Sequence, residues 1–382
     1  MTTQDTRTEA GDRPGQDPHR SLHSQTGALP GEHPGRSGNP LVKVAGLAWL
    51  EFEKPGLARA DRFYTDFGFT VADRTPEALA LRGRQAGAAC LVVRRGPRPR
   101  FVAPAFAAAA REDLDRLARG TGGAVTAHRG GHAILLRDPS GIPVRVVHGV
   151  PELPALPERA PLPLNFGSAP ARVNATQRPA RRPAEIQKLG HVVLGTTRFQ
   201  AALDWYLDTL GLIVSDFLYL DGQRDRGPAM AFIRCDLGSV PADHHTLAMA
   251  LQPHTGYVHS AYQLTDLDEV AASGQYLREQ GYRHAWGLGR HIQGSQIFDY
   301  WRDPDRAMFE HYTDGDVFDA TMAPGWAPLS ASGLSQWGPK VTAEFTGTND
   351  PRVVVAAIKA LRDKGNEVDL RALRGLIKAM GS

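Results

Sequence analysis

The sequence predicts an α+β protein made of two tandem, diverged copies of one module, followed by a helical C-terminal extension. Three observations carry this expectation. The strand-like run LAWLEF (residues 47–52) and the run LGHVVLG (residues 189–195) each lead into a helix-spaced stretch that ends at a glycine. Both copies then close on Arg-Asp-Pro and a strand, RDPSGIPVRVVHG (137–149) in the first and RDPDRAMFEHYTDG (302–315) in the second. The third is length: 382 residues exceed one typical hydrophobic core, and 42% hydrophobic with 22% charged residues is an ordinary globular balance.

Residues 1–40 are rich in Gly, Pro, Ser, Gln and Arg, with almost no large apolar side chains. Such a stretch buries too little surface to offset its ordering entropy, so a disordered tail is expected. His19, His23 and His33 in it lack a scaffold and are not read as ligands. Residues 41–150 form the first copy, in which Phe63, Tyr64 and Phe67 recur at helical spacing before Gly68. Residues 151–185 read as an extended Pro- and Arg-rich linker, with Arg178, Arg181 and Arg182 as solvated charges. The second copy spans 186–318; Phe199, Leu203, Tyr206, Leu207 and Leu210 mark its helix, with Gly211 as the C-cap. From 319 to 382 an irregular stretch with Trp326 and Trp337 precedes two helices. Asp350 caps the first, with Pro351 at its first position and Gly365 past its end; the second starts near Asp369.

A net charge of +3 without a long basic stripe gives no reason to expect a nucleic-acid partner. No apolar run approaches a membrane span, and the first residues lack the apolar segment of a signal peptide. Cys90 and Cys235 lack metal-site spacing and read as buried thiols of a reducing compartment, so a cytoplasmic protein is expected.

His191, His259 and Glu310 stand far apart in sequence, each in a strand-like run of the second copy. On strands of one curved sheet they would point into one concave face. Two imidazoles and a carboxylate suit Fe(II) or Mn(II) and leave half the coordination sphere open, whereas a structural zinc would more often recruit thiolates. Matching the copies sets Trp49 against His191, a position near Ala103 against His259, and Arg145 against Glu310. One metal site per chain, in the second copy only, is therefore expected. In ADHHTLAMAL (242–251) strand alternation lets only one of His244 and His245 face that site. GRHIQGSQIFDYWRDP (289–304) adds His291 and Tyr300, whose hydroxyl needs a partner if buried.

Taken in order, LGHVVL, DHHTLA, VHSAYQL, GRH followed by Tyr300, and FEHY resemble the type I extradiol ring-cleaving dioxygenases of the vicinal oxygen chelate superfamily. The likeness, closest to the 2,3-dihydroxybiphenyl and catechol 2,3-dioxygenases, covers about residues 41–316. It implies two tandem vicinal-oxygen-chelate modules of paired βαβββ units, with Fe(II), or alternatively Mn(II), on His191, His259 and Glu310. It also implies His245 as the acid–base residue, with His291 and Tyr300 contacting the bound catecholate. The implied substrates are a catechol-type aromatic diol and O₂, with ring cleavage beside the diol, in a homo-oligomer. The family's usual aspartate three residues after His291 is Gly294 here, which predicts an altered local hydrogen-bond network. Two other readings stay open at this point. One is a metal-dependent glyoxalase- or epimerase-like lyase or isomerase; the other is a drug-sequestering binding protein without catalysis.

Overall fold

The computed structural model describes residues 25–26, 30–330, 334–347 and 351–381. After a short β1 (Gln25–Thr26), the first copy runs β2 (Val44–Lys54), α1 (Leu57–Phe67), β3 (Thr70–Arg74), β4 (Ala78–Arg82) and β5 (Leu91–Arg95). It repeats that pattern as β6 (Arg100–Ala108), α2 (Arg111–Thr121), β7 (Val125–His128), β8 (Gly131–Arg137) and β9 (Pro143–His148). The second copy begins with β10 (Lys188–Thr196), α3 (Phe199–Leu210), β11 (Leu212–Leu220), β12 (Met230–Cys235), a two-residue β13 (Ala242–Asp243) and β14 (Leu247–Leu251). It continues with β15 (Gly256–Gln263), α4 (Leu267–Glu279), β16 (Arg283–Arg290), β17 (Ile297–Arg302) and β18 (Met308–Thr313). The extension adds β19 (Val317–Phe318), β20 (Gly325–Leu329), α5 (Ala343–Thr346), α6 (Pro351–Arg362) and α7 (Leu370–Gly381).

The two copies share one topology. The first sheet is ordered β3-β4-β5-β2-β6-β9-β8-β7, and the second contains β11-β12-β14-β10-β15-β18-β17-β16 in the equivalent order. Each is a pair of βαβββ units joined along a central antiparallel pair, β2 with β6 and β10 with β15. Both expected helices end where glycine permits a left-handed residue, at Gly68 (φ 118°) and Gly211 (φ 64°).

Helices α1 and α3 lie between the two sheets, and the Arg-Asp-Pro turns explain how. Asp138 Oδ1 caps its own turn by accepting from Ser140 N and Ile142 N, and Asp303 Oδ1 accepts from Asp305 N and Ala307 N, all at 2.9 Å. The second oxygen of each reaches across to the other copy's helix. Tyr64 Oη donates to Asp303 Oδ2 (3.1 Å) and Tyr206 Oη to Asp138 Oδ2 (3.4 Å). Lys54 adds a buried ion pair to Asp303 that has no counterpart in the other half, where Thr196 stands. Phe309 on β18 packs within 6 Å of Phe52, Phe63, Tyr64, Phe67 and Tyr262, so a single core runs through both modules.

Two expectations need amendment. Residues 30–36 of the presumed tail are seated on the second module: His33 contacts Asp204 (2.9 Å), Glu32 pairs with Arg224 (2.6 Å), and Val214 N donates to Gly35 O (2.7 Å). Polar contacts at fixed partners hold this stretch, which apolar content could not show. Residues 1–24 and 27–29 lie outside the described residues, as does the proposed cap Asp350. Nor is the stretch after 316 all irregular: β20 pairs in parallel with β11 and buries Trp326 against Phe217 (4.5 Å). Asp369 caps α7 by accepting from Ala372 N (2.7 Å). Residues 151–184 carry only isolated bridges and no regular strand or helix. Among the described residues no helix is long and apolar enough to cross a membrane.

Candidate metal centre and active site

Three adjacent strands of the second sheet carry the three candidate ligands: His191 on β10, His259 on β15 and Glu310 on β18. The register brings them together. On β15, Ala261 pairs with His191 on one side and Glu310 on the other, and His259 stands two residues away on the same face. The methyl group of Ala261 leaves the space between them open.

His191 Nε2 and His259 Nε2 lie 3.4 and 3.3 Å from Glu310 Oε2. These contacts are too long for good hydrogen bonds, and neither Glu310 oxygen accepts one from a described residue although the side chain is fully buried. Donors bound at about 2.0–2.2 Å to one ion at near right angles stand about 3 Å apart, close to the spacing seen. A divalent cation at their focus would offset the cost of a buried, unpartnered carboxylate, so the donor set fits a metal. This is the one grouping of three such side chains among the described residues whose ligand atoms lie within 4.8 Å of one another.

Electrostatics agree with those roles. Burial alone would raise the Glu310 carboxyl, but the imidazoles of His191, His259 and His291 outweigh it and hold the group well below the usual range. Burial lowers His259, only partly countered by Glu310, and favours the neutral ring that a ligand requires.

The structure also places the other sequence candidates. His245 lies with its ring 3.9 Å from that of His191, while His244 turns the other way, toward Asp216. Burial, then the neighbouring His191 and His244, push His245 well below the ordinary imidazole value. His291 and Tyr300 meet each other: His291 Nε2 is 2.8 Å from Tyr300 Oη. His291 Nδ1 sits 2.7 Å from the Leu334 carbonyl, which can only accept, so neutral His291 carries its proton on Nδ1. Tyr300 Oη therefore donates to Nε2. Burial, then Glu310, push the phenol well above its ordinary value, so it remains a donor.

Leu334 and Phe345 were not anticipated. Phe345 packs on Trp286 (4.8 Å) and Tyr300 (4.9 Å), so the C-terminal extension forms part of this region. No motif marks these residues; only the tertiary path of residues 334–346 brings them here.

The first module has the same register without the chemistry. Trp49 pairs with Ala105, which pairs with Arg145, and Ala103 occupies the place of His259. Arg145 Nε donates to Glu51 Oε1 (3.1 Å), and Trp49 Nε1 donates to the same atom (3.0 Å), so the equivalent face is filled by an internal ion pair. A cavity of about 580 Å³ lies on this first sheet, beside Trp49, Val147 and Leu189, and not over the triad.

Known proteins share this fold. Residues 188–311 match the glyoxalase/bleomycin resistance protein/dioxygenase superfamily. Metapyrocatechase 2 of Cupriavidus necator is 32% identical over 344 residues, covering 86% of this chain and 98% of that protein. The fold is shared with homoprotocatechuate 2,3-dioxygenase of Brevibacterium fuscum (TM-score 0.65, 19% identity, 82% of this chain and 95% of that one). It is shared as well with the Mn(II)-bound glyoxalase of Novosphingobium aromaticivorans (TM-score 0.65, 22% identity, 79% and 94%). The chain belongs to the extradiol ring-cleaving dioxygenases of the vicinal oxygen chelate superfamily. It is an oxidoreductase that inserts both atoms of O₂ into a catechol-type diol and opens the ring beside the two hydroxyls.

Proposed function

We propose that ring cleavage takes place at an Fe(II) held by His191, His259 and Glu310. The observation that carries this is the convergence of two imidazole Nε2 atoms, at 3.3 and 3.4 Å, on a buried carboxylate oxygen without a hydrogen-bond partner. Bound there, the metal supplies a template that brings a deprotonated diol and O₂ together and passes electrons between them. Mn(II) suits the same donors, and Fe(II) is the proposal for this chain.

The protein's own residues handle protons and orientation. His245 is neutral and buried beside His191, and takes up a proton from the diol and returns it later in the cycle. Tyr300 and His291 form a fixed donor–acceptor pair at the rim of the triad; His291 Nε2 is 3.7 Å from Glu310 Oε1. Tyr300 orients the diol and favours its ionised form by turning its hydroxyl proton from His291 Nε2 to a diol oxygen, which leaves Nε2 as an acceptor beside it. Trp286, Phe298 and Phe345 pack around Tyr300 and hold its ring in place. A lyase or isomerase site drawing on the equivalent positions of the first module is disfavoured, since Trp49, Ala103 and Arg145 stand there and none of them ligates a divalent metal.

The working form is proposed to be a cytoplasmic homo-oligomer. Val354, Val355 and Ile358 on α6 and Ile377 on α7 are exposed apolar residues suited to a subunit contact. Light scattering coupled to size exclusion tests this, and a monomer at micromolar concentration would contradict it.

Oxygen uptake by anaerobically Fe(II)-loaded protein, run over a panel of catechols with visible spectra recorded, tests the functional reading. Uptake matched by a yellow ring-opened product supports it and ranks the substrates. Iron bound without uptake for any diol would overturn it.

A further inference from the structure

His244 and His245 are sequence neighbours and both are buried, at 1% and 3% exposure. Their rings meet nitrogen to nitrogen, with Nδ1 of one 3.0 Å from Nδ1 of the other. On its other side His244 Nε2 lies 2.7 Å from Asp216 Oδ2. An ionised carboxylate only accepts, so the proton of that contact sits on His244 Nε2. Neutral His244 then presents a bare Nδ1, and the 3.0 Å contact requires His245 to donate from its own Nδ1. His245 is left with its lone pair on Nε2, on the side of its ring away from His244.

We propose that Asp216 and His244 are positioning residues that fix His245 in the Nδ1–H tautomer, so that it meets the substrate as a base through Nε2. The proposal rests on the acid–base reading of His245 given above. In the opposite tautomer His245 would offer Nε2–H and could not take up the diol proton there.

Gly294 gives a second, independent observation. It stands at φ +81°, and a Cβ there would fall 2.9 Å from His244 Nδ1 and 3.1 Å from its Cγ. The backbone closes around the same ring: His244 N donates to Asp316 O (2.8 Å) and Asp316 N to Gly294 O (2.9 Å). The absence of a side chain at 294 is thus what makes room for the His244 imidazole. The departure from the aspartate expected at that position and the Asp216–His244–His245 chain are one arrangement.

The test is ¹⁵N-histidine NMR of the full chain loaded with diamagnetic Zn(II), alongside kinetics of the Fe(II) form. His245 should show a protonated Nδ1 and a bare Nε2, and His244→Phe should abolish that fixed pattern. Turnover of His244→Phe and of Asp216→Leu should fall about 10- to 100-fold, with KM for catechol nearly unchanged, as expected when a partner that orients a reacting imidazole is lost. Adding either change to His245→Ala should cost nothing more. A wild-type His245 protonated on Nε2, or a tautomer unchanged in His244→Phe, would overturn the proposal, and neither outcome depends on activity. Full turnover in His245→Ala would instead remove the acid–base reading on which it rests.

Discussion

Glu310 is the single carboxylate of the proposed metal centre. Its carboxylate is buried among three imidazoles and accepts no described hydrogen bond, so replacing it removes the negative charge that would hold a cation there. Glu310→Ala, His191→Ala and His259→Ala are each expected to lose metal and activity together with the fold intact, as read by metal analysis and circular dichroism. Tyr300→Phe should keep the metal and lower turnover about 10-fold or more, since only the orienting hydroxyl goes. The three candidate ligands were legible because a polar His or Glu inside an apolar alternating run demands an explanation. His244 was not: adjacent histidines give no hint which one pairs with Asp216, 28 positions earlier in the chain, and Gly294 acquires its meaning only from the ring against it.

At the scale of elements, β18 both carries Glu310 and docks the modules. His311 Nε2 donates to the Phe67 carbonyl at the end of α1 (2.7 Å), and its ring stacks on Phe67 at 3.8 Å. Burial drives this imidazole down to about 3, against an ordinary value of about 6.5. Between those values the unfolded chain binds the proton and the folded one does not. Stability is therefore fully present above about pH 6.5 and falls as pH drops below it, by up to about 1.4 kcal/mol per pH unit from this group. Urea midpoints measured at pH 7 and pH 5 should differ less in His311→Gln, which keeps a donor but cannot titrate. Asp303 offers a second check on the same interface. Asp303→Asn removes the nearer of the two carboxylates facing the buried Lys54 ammonium, leaving Asp305 Oδ2 at 3.6 Å, and should cost about 1.5–3 kcal/mol. Asp138→Asn, with no lysine opposite, should cost less. The Arg-Asp-Pro turns and the glycine-ended helices were readable from local chemistry. The pairing of β20 beside β11 was not, because the five residues GWAPL carry no period to read.

Across the whole molecule, duplication separates structure from chemistry. One module keeps the sheet and fills its concave face with the Glu51–Arg145 pair, while the other keeps the same register and places the three candidate ligands in it. The repeat was visible in the sequence, and the register shows why the counterparts of His191, His259 and Glu310 are Trp49, Ala103 and Arg145. What sequence could not show was that residues 334–346 return to pack against His291 and Tyr300, since their contacts are all long-range. The single core also seals both cysteines. Burial pushes Cys90 up to about 12 and Cys235 to about 11, so neither forms thiolate near neutral pH. A thiol reagent should label no cysteine in the folded chain at pH 8 and two after denaturation.

One catalytic metal site per chain is proposed, in the second module. Anaerobic Fe(II) titration of the wild type, Glu310→Ala and Glu51→Gln, with ring cleavage assayed on the same samples, tests it most directly. One iron per chain is expected in the wild type and in Glu51→Gln, and neither iron nor ring cleavage in Glu310→Ala. Two irons in the wild type, or iron and activity retained in Glu310→Ala, would contradict it.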